Sequence, residues 1–177
     1  MQDPGIERAT DARVQGDLVA ARKEIDGVLA REPSNLEAWR ESYETAGAAQ
    51  DAAQVGRAAA RLIELYARVG EKALASSIVL ETLREFEGRL PVGYCLTAAK
   101  WLEQQDDART AIAIYEEVAQ RSPDASGLRA LIRIGDLMKQ AGDVRRARAA
   151  YERAKSHPGC SELWRGKVES ALAALPS

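Results

Sequence analysis

Side chains able to do covalent or acid–base chemistry are few and scattered. His157 is the only histidine in 177 residues. It stands beside Pro158 and Gly159 in an expected turn, with no acidic pair and no set of cysteines around it at metal-ligand spacing. It therefore reads as an exposed loop histidine, neither ligand nor base. Glu116-Glu117, Asp106-Asp107 and Glu85 with Glu87 bring carboxylates together in sequence. A catalytic carboxylate pair would show this way, but solvated helix faces produce such neighbours more often. The chain has no Gly-rich phosphate loop and no nucleophile elbow. Cys95 and Cys160 lie 65 positions apart, within or beside helical segments, and read as free thiols in a reducing compartment. No metal, no cofactor and no catalytic constellation is expected, so the chain reads as non-enzymatic. What remains is charge. At 3.6 residues per turn, Arg129, Arg133 and Lys139 project within one broad helix face. Arg145, Arg146 and Arg148 form a second, shorter cluster flanked by Asp143 and Glu152, read as a solvated face.

The elements that carry these charges show in the apolar spacing. Leu131, Ile134, Gly135 and Met138 recur three and four apart, which places them on one helix face. Ala147, Tyr151 and Ala154 do the same in the next segment, and Pro158 follows. Gly142 supplies the left-handed residue that ends a helix, and Asp143 caps the next one. Gly16-Asp17 has the same form, and Asp106-Asp107 supplies caps without the glycine. The pattern occurs twice. Cys95, Ala98, Ala99, Leu102, Ala111, Tyr115 and Pro123 precede it at an offset of 36 residues (Tyr151 minus Tyr115). Ala111, Ala147 and the notch Gly135 are expected where helices approach most closely, with Glu116 and Arg145 exposed. In these residues the chain resembles the tetratricopeptide repeat family, whose repeat is a helix–turn–helix of about 34 residues.

The resemblance implies an all-α fold: a right-handed α-α superhelix of about nine or ten antiparallel helices in one domain, residues 1–177. The repeats run 2–33, 36–69, 56–89, 92–123 and 128–158, with a cap helix at 161–175. The first is half formed. Gly16, Ala21, Ile25, Val28 and Pro33 fit, but a helix at 5–15 has little to bury beyond Ile6 and Val14. It reads as a polar cap or, by preference, as the continuation of a longer protein. Ser34 with Glu37 has capping-box spacing before Trp39, Tyr43 and Ala46. The segment 52–69 is claimed by two repeats, because Ala59, Leu62, Ile63 and Tyr66 read as a first helix and Gly70, Ala75 and Val79 lead the next. Gly47 and the alanines of 46–53 favour two helices over one continuous helix across 35–69. Pro91 suits a first helical turn. The last helix, from Ser161 to Pro176, sets Trp164, Val168, Ala171, Leu172 and Leu175 against the body, with Glu162, Arg165, Lys167 and Glu169 outward, as a solvating cap does.

Composition narrows the partners. Charged residues at 29% with a net charge of −2 mix both signs, which excludes the basic footprint of a nucleic-acid binder. No apolar run reaches the roughly 18–20 residues of a membrane span, so no direct membrane insertion is expected. Met1-Gln2-Asp3-Pro4-Gly5 is no signal segment. The expected location is the cytoplasm or the cytoplasmic portion of a larger protein, and the Ala- and Arg-rich composition suits a bacterial source. The resemblance implies a protein-interaction scaffold or adaptor that holds a partner peptide or helix in a concave groove lined by first helices, within a larger regulatory or assembly complex. The alternative is a small secretion chaperone, against which the weak 5–15 helix counts. Homo-oligomerisation is left open. Carried over by position, the groove presents Arg40 and Glu44, then Leu96, Lys100 and Glu103, then Arg129, Ile132, Arg133, Asp136 and Lys139. Arg129 and Arg133 stand where clamps for acidic tails put a basic pair, but Thr97 replaces the asparagine such a clamp needs. Reversing Arg129 and Arg133 to Glu is expected to spare the fold.

Overall fold

A computed structural model describes residues 3–86 and 90–176; the expectations placed on Met1, Gln2 and Glu87 lie outside these. Among the described residues there are ten α-helices and no strand. They group into two compact units, residues 1–91 and 92–177. No described helix is long and apolar enough to cross a membrane.

The first unit holds α1 (Pro4–Val14), α2 (Leu18–Arg31), α3 (Leu36–Ala48), α4 (Ala52–Arg68) and α5 (Lys72–Glu85). Segment 35–69 is thus two helices, broken where Gln50 takes a left-handed backbone, φ 55°, and Asp51 caps α4 through the Gln54 amide. α4 packs against both α3 and α5. It is buried through Val55, Ala58, Ala59, Leu62, Ile63 and Tyr66, a stripe wide enough to serve two neighbours. Tyr43 of α3 reaches Thr82 of α5 at 3.1 Å, and burial pushes its phenol up to about 12.

Two expectations fail in this unit. α1 is a docked helix that buries Gly5, Ile6 and Ala9. Val14, expected to join that face, is 76% exposed, because it falls a quarter-turn off the stripe. A side chain at Gly5 would meet Val28 Cγ2 at 2.7 Å, so the absence of one is what lets α1 lie against α2. The cap of α3 is Asn35 and not Ser34. The Asn35 carboxamide oxygen accepts from the Ala38 amide at 2.9 Å, and Trp39 Nε1 donates to the Pro33 carbonyl.

The second unit holds α6 (Val92–Gln104), α7 (Ala108–Arg121), α8 (Ala125–Gln140), α9 (Val144–Lys155) and α10 (Glu162–Ala173). Pro91 stands one residue before α6. α8 packs against α7 and α9, and α9 against α10. The hairpin turns repeat one device. Asp106 and Gly142 take left-handed backbones, φ 59° and 78°, and Asp107 and Asp143 then cap α7 and α9 through the Thr110 and Arg146 amides. On α10, Val168 is buried and Trp164 half-buried, whereas Leu163 is 71% exposed; Leu175, just past the end of the helix, is buried as well.

Ala111, Ala147 and Gly135 are all buried at helix contacts. A Cβ on Gly135 would lie 2.5 Å from the Tyr151 ring. Gly135→Leu should therefore overpack the α8–α9 contact and cost roughly 1–3 kcal/mol or more. Arg145→Ala, on an exposed turn, should stay within about 0.5 kcal/mol. Chemical denaturation of the two variants checks the pair, and equal effects would refute the register of this hairpin.

Candidate partner-binding face

Each unit carries a polar seam that ties one first helix to the next. In the second unit Glu103 of α6 is half-buried at the middle of it. Arg133 of α8 donates to both Glu103 oxygens, through Nε at 3.0 and 2.9 Å and through a closer Nη2 contact. Tyr115 of α7 donates its hydroxyl to Glu103 at 2.6 Å. Arg133 also faces Asp136 at 3.6 Å, and Asp136 accepts from the Tyr151 hydroxyl of α9 at 2.7 Å. The seam thus runs Tyr115, Glu103, Arg133, Asp136, Tyr151 across four helices.

Its electrostatics follow from partial burial. Desolvation, the largest single influence on Glu103, disfavours its charge. The hydrogen bonds from Arg133 and Tyr115, with the fields of Arg133 and Lys100, outweigh it and hold the carboxyl below the usual range. Burial, then the bond to Glu103, raises the Tyr115 phenol; burial, then the bond to Asp136, raises Tyr151. The Glu103 hydrogen bonds raise Arg133. All these groups keep their ordinary protonation at neutral pH, so the seam is a structural lock.

The first unit has the same lock with its charges reversed. Arg13 of α1 donates to Glu41 of α3 at 2.5 and 3.2 Å and pairs with Glu44 at 2.7 Å. Thr10 donates to Glu41 at 2.9 Å, and Glu41 is only 6% exposed. Measured from the capping aspartates, the positions coincide. Arg13 and Glu103 lie four residues before Asp17 and Asp107; Glu41 and Arg133 lie ten before Asp51 and Asp143.

These seams decide how the ten expected groove residues fare. Glu44, Glu103, Arg133 and Asp136 are engaged within the fold. Arg133 is therefore no free basic group, and the expectation that its reversal would spare the fold is corrected: the change would set two carboxylates against each other at Glu103. Arg40 is exposed and shares a depression of about 290 Å³ with Thr10, Arg13 and Glu44. In the second unit Lys100 shares one of about 490 Å³ with Glu103, Gln104 and Arg133. Lys100, Arg129 and Lys139 are exposed, and none forms an ion pair among the described residues. Leu96 and Ile132 are half-buried. Thr97 donates to the Gly93 carbonyl of its own helix, which spends its hydroxyl locally.

Other side chains weighed for chemistry are structural. His157 is half-buried, not exposed. Its Nε2 lies 3.1 Å from the Ser122 carbonyl, and its Nδ1 accepts from the Gly159 amide at 3.1 Å. A carbonyl can only accept and an amide can only donate, so the ring is the neutral Nε2–H tautomer, joining the loops before α8 and α10. Glu116 is half-buried rather than exposed and takes a two-point pair with Arg153, both bonds 2.9 Å. Cys95 is buried, which pushes its thiol up to about 11, and Cys160 is half-buried; both are free. No three metal-capable side chains converge among the described residues.

The tetratricopeptide repeat family model matches residues 96–125 and 129–159. The matched segments coincide with the α6–α7 and α8–α9 hairpins, which are the tetratricopeptide repeats of this chain. No curated protein matches. Among solved structures, the chain is similar to one titled as MamA at 18% identity, covering 89% of this chain and 95% of that one, TM-score 0.47. It is also similar to TTC0263, a thermophilic TPR protein of Thermus thermophilus, at 14% identity, covering 96% and 97%, TM-score 0.43. A third is PilW, titled a type IV pilus biogenesis factor, at 15% identity, covering 96% and 84%, TM-score 0.42.

Two outcomes are expected of the seam. Arg133→Glu should cost about 1–3 kcal/mol, the penalty of stranding a half-buried charge. The swap Glu103→Arg with Arg133→Glu should recover most of it, because the first unit already runs the lock in that polarity; a double-mutant cycle by urea unfolding checks this. Because the folded Glu103 value is lowered, its contribution is full above the ordinary glutamate range, about 4.3. It is lost as pH falls through the lowered value. Carbon-detected NMR titration should find Glu103 ionising below the usual range, and Arg133→Met should move it up.

Proposed function

We propose that this protein is a non-enzymatic scaffold that holds an acidic, amphipathic segment of a protein partner on the first-helix face of its second unit. The observation that carries the reading is the charge left over after the seam is closed. Lys100, Arg129 and Lys139 stay exposed on α6 and α8 while Glu103, Arg133 and Asp136 satisfy one another. Half-buried Leu96 and Ile132 lie on the same helices and supply apolar ground. Three unspent cations beside two apolar side chains suit a segment with acidic groups around an apolar anchor. The charges mainly speed encounter and select partners, and the apolar contact lengthens residence. A place within a larger bacterial regulatory or assembly complex belongs to the same proposal.

Affinity purification from the source cells, with the native chain and the Lys100→Glu/Arg129→Glu variant side by side, tests it. Neither residue is hydrogen-bonded in the seam, so the variant should stay folded, with at most a small drop in melting temperature from reversing the Lys100 field at Glu103. A protein recovered by the native chain should be lost from the variant. Equal recovery by both would overturn the assignment of this face.

A further inference from the structure

We infer that the second unit has a separate docking groove on its second-helix side, between α7 and α9, which takes an acidic segment carrying one apolar side chain. The groove holds about 320 Å³. Its apolar lining is Ile134 and Met138 of α8 with Ala149 and Ala150 of α9, and its charged lining is Glu116 of α7 with Arg146 and Arg153 of α9. The cause of the opening is composition. Ala149 is exposed, so a stub stands where a long side chain would close the opening, and Met138 in the same lining is only half-buried.

Charge names the occupant. Residues 144–155 carry Arg145, Arg146, Arg148, Arg153 and Lys155 against Glu152 alone, in a chain whose net charge is −2. Lys155 pairs with Glu169 at 2.9 Å, and the rest of the excess is held to different degrees. Arg146 faces Asp143 at 3.5 Å with its side chain 72% exposed. Arg153 is paired with half-buried Glu116 through two bonds of 2.9 Å, and its own side chain stays about half exposed at the edge of the groove. Arg146 and Arg153 are seven residues apart, two turns and about 10.5 Å along the axis, with Ala149 between them. A segment with two carboxylates at that spacing and an apolar side chain between them meets both guanidiniums and covers the floor. Arginine favours such carboxylates through paired hydrogen bonds. This face is distinct from Lys100 and Arg129, so its fate is independent of the function proposed above.

The test uses the full chain and a fluorescein-labelled helical peptide containing Glu-x-x-Leu-x-x-x-Glu, followed by fluorescence anisotropy at low and physiological salt. Arg146→Glu should weaken binding at least tenfold. Ala149→Trp, which fills the groove without changing charge, should weaken it at least fivefold, with helicity unchanged by circular dichroism. Lys100→Glu/Arg129→Glu should change it less than twofold. Binding that ignores Ala149→Trp would mean general attraction of acids to a basic helix and overturn the inference. So would a larger loss in the Lys100→Glu/Arg129→Glu variant, which would move the peptide to the first-helix face. Equal affinity for a single-stranded thymidine oligonucleotide, or self-association abolished by Ala149→Trp, would assign the groove to nucleic acid or to a second copy and overturn it as well.

Discussion

Two helices of about a dozen residues are marginal alone, and tertiary packing supplies most of their stability. Here the packing surface is poor in aromatic rings and rich in alanine, so burial depends on how closely the backbones approach. The contact of Tyr151 with Gly135 shows the constraint. The ring occupies the space a Cβ would take, and Ala147 and Ala150 are buried on the same helix. A large side chain on one helix requires the loss of one on its neighbour. Ala98, Ala99 and Ala111 are likewise buried in the α6–α7 hairpin, together with the larger Tyr115.

Close approach brings polar groups into the same contacts, and the phenols of Tyr115 and Tyr151 reach the seam because their rings are held deep in the hairpins. Their hydroxyls emerge beside Glu103 and Asp136 and find acceptors there. Arg133 then links the acids of successive first helices. The lock costs recognition capacity, since an Arg–carboxylate pair used within the fold offers little to a partner. The first unit, with Arg13 on Glu41 and Glu44, spends its charges in the same way. Interaction chemistry is therefore confined to charges off the seam, and the two faces of the second unit differ in how such charges arise. Lys100 and Arg129 face no acid at pairing distance among the described residues, whereas Arg146 is held loosely by Asp143 and Arg153 at two points by Glu116.

The turn residues show how local rules survive substitution. Gly16, Gly70 and Gly142 take left-handed backbones at little cost. Gln50 and Asp106 adopt the same conformation with side chains, and the aspartates that follow them cap α4 and α7. The Gln50 turn carries no glycine signal, which is why 35–69 leaves one helix or two open in the sequence. Asn35 rather than Ser34 caps α3 for a similar reason. Both residues can accept from a backbone amide, and only the path of the chain decides which oxygen is aimed at Ala38.

The amino-acid sequence determined what depends on neighbours along the chain. Helical periodicity, the Gly-Asp turns and the recurrence of Ala, Gly and Tyr fixed an all-α repeat fold, the α6–α9 hairpins and the close contact at Gly135, because helix faces follow from spacing of three and four residues. It named the residues of the candidate face as well, Lys100, Arg129 and Arg133 among them. Only the tertiary structure decided which of these are free. Glu103 and Arg133 are 30 positions apart, and Arg13 and Glu41 are 28 apart with the signs exchanged. No rule of local spacing pairs them, and their common register appears only once the turns are superposed. His157, Val14 and Glu116 changed standing for the same reason: exposure and partnership are set by the helix that arrives from elsewhere in the chain.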